Sequence, residues 1–254
     1  MRFRPLFLAR LAHRLVDVLQ RRSVSSWVAR QARLQLIQVG ANDGVMADPI
    51  REIVLRPNVH AVLVEPVPDV FARLAQTYAL QSRVVCRQVA VVPDDDRLSV
   101  PFFRFVPKPG AHWDELYTGW GSTRRDHLEK FREFVPDFDS LVQMESVPAT
   151  TLAKLFASTG WSTIDMLQMD VEGLDVALME SMPFDLWVPR IIRFEHIHSD
   201  RDRLLRLLSR LHAIGYRTFS HGFDTLCIRV EEMPHFRMLS LIQRLHPAWF
   251  VPPR

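Results

Sequence analysis

The chain has 254 residues, 48% of them hydrophobic, enough for one large core. Its formal net charge of +3 is unevenly placed: residues 1–35 hold eight arginines and one acid, Asp17, about +7, which leaves about −4 for the rest, so the body of the chain lacks the basic face that extended nucleic-acid binding requires. Two cysteines, Cys86 and Cys227, far apart and in strand-like runs, exclude a disulfide framework and a metal-type cysteine spacing.

No apolar run approaches the roughly 18 residues of a membrane span. The apolar segment at residues 5–9 is cut by Arg10, too short for the core of a secretory signal. A cytoplasmic protein is the expectation. Residues 3–19 set Phe3, Phe7, Leu11, Leu15 and Val18 at steps of three and four, with Arg10, Arg14 and Arg21 on another face. This periodicity predicts a basic amphipathic helix in an N-terminal extension, residues 1–33. Three readings fit that helix: packing on the domain, contact with an acidic membrane surface through residues 1–22, and an Arg-rich transit segment.

The main domain is expected over residues 34–232. It opens with an apolar strand, residues 36–39, running into Gly40-Ala41-Asn42-Asp43-Gly44. Asp48 before Pro49 predicts a helix start, with Ile50, Ile53 and Val54 as its apolar pattern ahead of Pro57. A second strand, residues 61–64, ends in Glu65; Pro66 and Pro68 then introduce a helix with Phe71, Leu74 and Tyr78 on one face. A third strand is predicted over 84–92, stopped by Pro93 and three aspartates, and residues 98–106 read as a further strand or hairpin arm. Over residues 107–148 the periodicity weakens into an insert or lid carrying Trp113, Tyr117, Trp120 and a helix-like run with Leu128, Phe131 and Phe134.

Regular alternation then resumes. A helix capped by Thr150 or Thr151 closes at Gly160, and a strand over 164–169 leads into Asp170-Val171-Glu172-Gly173 and another helix. A strand over 190–194 meets Glu195-His196-Ile197-His198, and Ser199 with Asp202 resembles a capping box for a helix over 203–213. Strands over 216–220 and 225–230 predict a closing hairpin, followed by a C-terminal tail, residues 233–254. Strands alternating with helices predict an α/β fold, a mostly parallel, doubly wound sheet with a C-terminal antiparallel hairpin strand.

In such sheets ligands bind beyond the carboxyl ends of the strands, where strand order reverses. Four of those ends are polar here: Gly40 to Gly44, Glu65, Asp170 with Glu172, and Glu195 with His196. Glu65 lies 21 residues after Gly44, where a carboxylate can accept both hydroxyls of a ribose; an exposed acid at a strand end is the alternative. The glycines do not form G-x-G-x-x-G and no P-loop motif exists, which disfavours NAD, FAD and nucleoside triphosphates. Asp170, Glu172, Glu195, His196 and His198 offer ligands of a magnesium or manganese type, but helix capping and solvent exposure account for Glu172 and His198, so no metal is expected.

The set Val39-Gly40-Ala41-Asn42-Asp43-Gly44, Val64-Glu65-Pro66, Val89-Ala90-Val91 and residues 164–173 resembles the FkbM-type methyltransferases, and the likeness covers residues 36–230. It implies a class I Rossmann-like fold, S-adenosyl-L-methionine (SAM) as cofactor, and O-methylation of a glycan or other small hydroxylated acceptor. By position it puts Gly40, Ala41, Asn42 and Gly44 around the methionine and ribose of the cofactor and Glu65 on the ribose hydroxyls. Many members carry Asp where this chain has Gln38, so a neutral amide must accept from the cofactor's amino group, with Asp43 available to compensate. Methyl transfer from a sulfonium needs an acceptor oxygen about 3 Å from the methyl and a base. Asp170 and His196 are the candidates. Trp113, Tyr117 and Trp120 can stack on a sugar and Arg124, Arg125 and His127 can bind an anionic group, with Glu172 beside them; a small satellite core is the other use for those aromatics. A non-catalytic SAM-fold module, acting in assembly or at a membrane, is the alternative function.

Overall fold

The structure is a computed structural model that describes residues 4–46, 48–93 and 97–250. The side chains of residues 4–13 lie outside the described set, and with them the predicted stripe positions Phe3, Phe7 and Leu11 and the basic Arg10; so do Asp94, Asp95 and Asp96.

In chain order the first half holds α1 (Arg4–Ala29), β1 (Leu34–Val39), α2 (Arg51–Val54), β2 (Val59–Val64), α3 (Pro68–Thr77), β3 (Val84–Arg87), β4 (Ala90–Val91) and β5 (Ser99–Phe105). Next come β6 (Gly121–Ser122), α4 (Phe138–Leu141), β7 (Val142–Thr150), α5 (Leu152–Ser158), β8 (Met166–Met169), α6 (Asp175–Glu180) and β9 (Ile191–Glu195). α7 (Arg201–Ala213), β10 (Tyr216–His221), β11 (Asp224–Arg229) and α8 (Arg237–Leu245) follow. The main sheet has the order β10, β11, β9, β8, β1, β2, β3. Its pairings are parallel except those of β11, which runs antiparallel to both β9 and β10. This is the doubly wound architecture the alternation predicted. The chain leaves β1 towards β2 and β3, then returns to β8 on the other side, so strand order reverses at the β1/β8 boundary.

Successive residues of a strand face opposite sides, and here both sides are covered. Leu34, Leu36, Ala61, Leu63, Met166 and Ile191 share a core with Val16, Val24, Trp27 and Val28 of α1 and Leu239 of α8. Ile37, Val39, Val62, Leu167, Met169 and Ile192 pack with the apolar faces of α5, α6 and α7. Packing on the domain is therefore the role of α1, whose Trp27 Nε1 donates to Glu232 Oε2 at 2.7 Å while the Arg190 guanidinium lies over the indole at 4.8 Å. The buried stripe differs from the expected one. Leu15 and Val18 are 47% and 45% exposed, because the anchoring residues sit in the last three turns of the helix and rotate Val16 and Gln20 inward instead.

Three further expectations change. The strand predicted over 84–92 splits: β3 extends the main sheet, whereas β4 joins a second sheet of order β4, β7, β5, β6. β7 lies inside the region read as a lid, and pairs antiparallel with β5 from Ser99 opposite Pro148 to Phe105 opposite Val142. Its pattern was hidden because Val147 is its one fully buried residue. The expected tail contains α8 and places Phe236, Leu239 and Phe250 in the core. Caps also shift locally: Asp200, not Ser199, caps α7 by accepting from Arg203 N at 2.8 Å, and Thr151 caps α5. No described helix is long and apolar enough to cross a membrane.

If α1 belongs to the cooperative core, Trp27→Ala lowers the unfolding free energy by about 3–5 kcal/mol in denaturant titration. A loss below about 1 kcal/mol, the range of surface changes, would show that the helix is an appendage.

Candidate active site

A cavity of about 180 Å3 opens at the carboxyl ends of β1, β2 and β8. The loop after β1 forms one wall. Gly40 has φ +78°, and a Cβ there would sit 1.8 Å from the Asp170 carbonyl oxygen, so glycine is required for the two strand ends to meet. Gly44, φ +73°, serves packing: its Cβ would lie 2.5 Å from the Tyr78 ring. Gly40, Ala41 and Asn42 line the cavity, but Asp43 and Gly44 do not. The Asp43 carboxylate is spent inside the turn, where Oδ1 accepts from Val45 N at 2.9 Å and Met46 N at 2.8 Å.

Glu65 lies at the end of β2 with Oε2 accepting from Asn42 N at 3.1 Å and Oε1 from Val67 N at 3.0 Å. Burial pushes its carboxyl up to about 7 against the opposing pull of those two amides. Beside it Val89, Ala90, Val91 and Phe102 make an apolar wall. A carboxylate that can accept from a diol, next to a flat apolar slot, fits a nucleoside.

Gln38 and Gln168 stand opposite each other on β1 and β8, so their side chains share a face. Both are buried and both line the cavity. Gln38 Nε2 donates to Asp48 Oδ1 at 3.1 Å and Gln168 Nε2 to the Met169 carbonyl at 3.2 Å. Each amide is thereby oriented, and each leaves a buried Oε1 with no partner. Buried acceptors are rarely left unpaired, and a cationic ammonium donates to two oxygens at once.

Asp170, itself exposed, lines the cavity from the end of β8, and the protein packed around its carboxyl, then the charges of Glu172 and Asp224, push it up to about 6. Behind it the carboxylates crowd. Asp175 is buried and accepts from Val171 N and Glu195 N, both at 3.3 Å, while burial and Asp170 push it up to about 8. Glu195 is raised by burial and by Asp170, Glu172 and Asp175. Among the described residues Glu172, Glu195 and His198 form one group whose ligand atoms lie within 4.8 Å. Lys130 Nζ, 2.7 Å from Glu172 Oε2, already supplies a cation there. His196 lies outside the cavity lining, buried, with Nδ1 3.0 Å from Thr225 Oγ1.

The insert uses most of its aromatics as a satellite core around Phe105, Tyr117, Leu128 and Phe138. Trp120 belongs to it through one ring face, stacked on Phe131 at 4.2 Å, yet also lines the cavity together with Ser122, Thr123 and Glu172. Arg124 is paired with Asp126, Arg125 with Glu129 and Asp139, and His127 Nδ1 lies 3.2 Å from Ser122 Oγ; neither Arg124 nor His127 lines the cavity. A Cβ on Gly119 would stand 3.2 Å from Asn42 Nδ2, so the insert closes directly on the β1 loop. Sequence reasoning missed Gln168, Asp48, Phe102 and Ser122. Only Gln168 carried a signal, a polar residue in the middle of an apolar strand.

A sequence model of the methyltransferase FkbM domain matches residues 38–218. No curated protein sequence matches the chain. Similar solved structures include a methyltransferase FkbM from Methylobacillus flagellatus KT, 12% identical with TM-score 0.41, covering 78% of this chain and 44% of that one, so that this chain spans less than half of its length. Aeropyrum pernix fibrillarin with natively bound S-adenosyl-L-methionine is 10% identical with TM-score 0.37, covering 78% and 68% of the two chains. An O-methyltransferase from Bacillus cereus in complex with SAH is 12% identical with TM-score 0.35, covering 88% and 81%. With the family match spanning most of the chain and the cavity built at the strand ends it covers, the protein belongs to the FkbM methyltransferase domain family.

Proposed function

We propose that this protein is an O-methyltransferase acting on a glycan or another small hydroxylated acceptor. The observation that carries the reading is Asp170, a carboxylate facing the cavity whose carboxyl is raised to about 6. A hydroxyl acceptor must lose a proton as its oxygen attacks, and a base titrating near neutrality suits that transfer. SAM, when bound, supplies a methyl group made electrophilic by its sulfonium. The Gln38 and Gln168 oxygens would accept hydrogen bonds from the amino group of SAM, Glu65 would accept from the ribose hydroxyls with the lone pairs that Asn42 and Val67 leave free, and the Val89 to Val91 wall would take the adenine. Asp170 Oδ accepts the acceptor's proton, and Trp120 with Ser122 and Thr123 borders the space left for it. A competing reading, a non-catalytic module, predicts cofactor binding with no turnover of any acceptor.

S-adenosylhomocysteine (SAH) should bind in calorimetry. With an acceptor found by mass-spectrometric screening, Asp170→Asn should lower kcat by about 100-fold or more and leave SAH affinity near wild type; unchanged kcat would remove Asp170 as the base. Trp120→Ala should raise the acceptor KM with little change in SAM affinity.

The raised carboxyl of Glu65 gives a pH dependence. Ribose hydroxyls donate to the anion, so SAH affinity should climb as pH rises through about 7 and level off above it, and Glu65→Gln should flatten that rise. The stability sign is opposite. Because the folded carboxyl titrates above its ordinary 4.5, ionisation disfavours the folded state, and the contribution of Glu65 to stability falls between pH 4.5 and about 7. A titration of SAH affinity unchanged by Glu65→Gln would assign the rise to another group.

Peripheral contact with an anionic membrane is a second proposal, supported by the outer face of α1. Leu15 and Val18 are exposed there among the exposed Arg14, Arg21 and Arg22, and the adjoining α8 exposes Met238, Leu241 and Leu245. Apolar and cationic side chains on one outer face suit an acidic lipid surface. The protein should float with phosphatidylglycerol-containing vesicles but not with phosphatidylcholine alone, and Leu15→Glu with Val18→Glu should abolish flotation. Equal flotation of the variant would discard this contact.

A further inference from the structure

The floor of the cavity presents a charge problem. An ammonium group taken into a buried site needs more than neutral acceptors, since an uncompensated buried charge is strongly disfavoured. The side chains aimed at that floor, Gln38 and Gln168, are both neutral amides. Asp43, the acid nearest in sequence, is turned into its own loop.

Asp48 occupies the missing place. It lines the cavity beside Gln38. Its Oδ1 accepts from Gln38 Nε2 at 3.1 Å and from Ile50 N at 3.0 Å, while Oδ2 is buried with no partner. Three unpaired buried acceptors, Gln38 Oε1, Gln168 Oε1 and Asp48 Oδ2, thus belong to side chains that line the cavity, two of them on the hydrogen-bonded pair Gln38 and Asp48 and the third on Gln168, opposite Gln38 in the sheet. Burial raises the Asp48 carboxyl against the pull of the Ile50 amide, Gln38 and the Arg51 charge.

We infer that Asp48 is the anionic member of a cradle, completed by Gln38 and Gln168, that receives the α-ammonium of the cofactor's methionine half. This rests on the SAM reading of the cavity. Asp48 acts in two ways: it supplies the negative charge, and it holds the Gln38 amide with its oxygen towards the ligand. Without that hold the Gln38 amide is free to turn its NH2 to the ammonium, donor against donor.

The test compares two ligands by isothermal titration calorimetry. SAH carries the amino-acid end, whereas 5′-methylthioadenosine keeps the adenosine and sulfur but lacks it. Asp48→Asn keeps the size of the side chain and an oxygen for Gln38 while removing the charge. It should weaken SAH by about 10-fold or more, the scale of a hydrogen bond to a charged group, and leave 5′-methylthioadenosine within about 2-fold, with Tm unchanged. Gln38→Asp combined with Asp48→Asn returns a carboxylate to the floor and should restore most of the SAH affinity. An Asp48→Asn protein that binds SAH as wild type does, or loses both ligands equally, overturns the cradle. A wild-type protein that binds 5′-methylthioadenosine and SAH equally well also overturns it. Failure of the wild type to bind either ligand overturns the cofactor reading itself, and the cradle with it.

Discussion

The close approach of Gly40 to the Asp170 carbonyl is the constraint on which the site depends. β1 is the central strand at the reversal of order, and its loop must cross the end of β8 where a Cβ would stand 1.8 Å from backbone oxygen. No side chain can relieve an overlap with backbone. Once the loop takes that path, Asn42 N reaches Glu65 and the parallel register sets Gln38 beside Gln168. The Glu65 carboxylate and the amide pair are thus fixed by one crossing rather than assembled separately.

The two ends of the cavity handle negative charge differently. At the end of β2 each Glu65 oxygen accepts from a backbone amide, so the carboxyl is oriented, with the opposed charges of Asp69 and Arg104 acting on it from nearby. Near Asp170, burial and then the charges of neighbouring acids push the carboxyls of Asp170, Asp175 and Glu195 towards the neutral form, Glu172 contributing its charge to two of them. The insert moderates that repulsion. Lys130 pairs with Glu172 and lies 4.7 Å over the Phe131 ring, on which Trp120 stacks. The satellite core therefore positions both the cation that tempers the acids and the indole that borders the cavity.

The central sheet was legible in the sequence because buried parallel strands read as short apolar runs between turn residues; Glu65 and Asp170 drew notice because they stand at the ends of those runs, and Gln38 through the family resemblance, as a departure from Asp. β7 was not, since its residues alternate exposed and half-buried and leave Val147 as its one fully buried position. The buried face of α1 was misplaced for a related reason: the apolar spacing of residues 3–18 is regular, but Trp27 and Val24 decide which side meets the sheet. Among site residues, Asp43 was the acid expected to compensate for Gln38, and its carboxylate instead closes its own turn, because the outcome depends on side-chain direction within the loop. Arg124, His127 and His196 have suitable chemistry, yet Asp126, Ser122 and Thr225 hold them away from the cavity.

The helices outside the family match, α1 and α8, do more than thicken the core. A second cavity of about 200 Å3 lies between α1 and the sheet, bordered by Asp17, Gln20 and Arg21 on one side and Arg193 and Leu226 on the other. Asp48 and Pro49 border both cavities. The segment that carries Asp48 is therefore the partition between the cofactor site and the underside of α1. Ser25 on the same helix accepts from Arg56 just beyond α2, so the far end of this segment is tied to α1 as well. Trp27, by anchoring the helix to Glu232 and Arg190, fixes the back of that partition. The N-terminal helix therefore meets the wall of the first cavity at this short segment as well as supporting the sheet from behind.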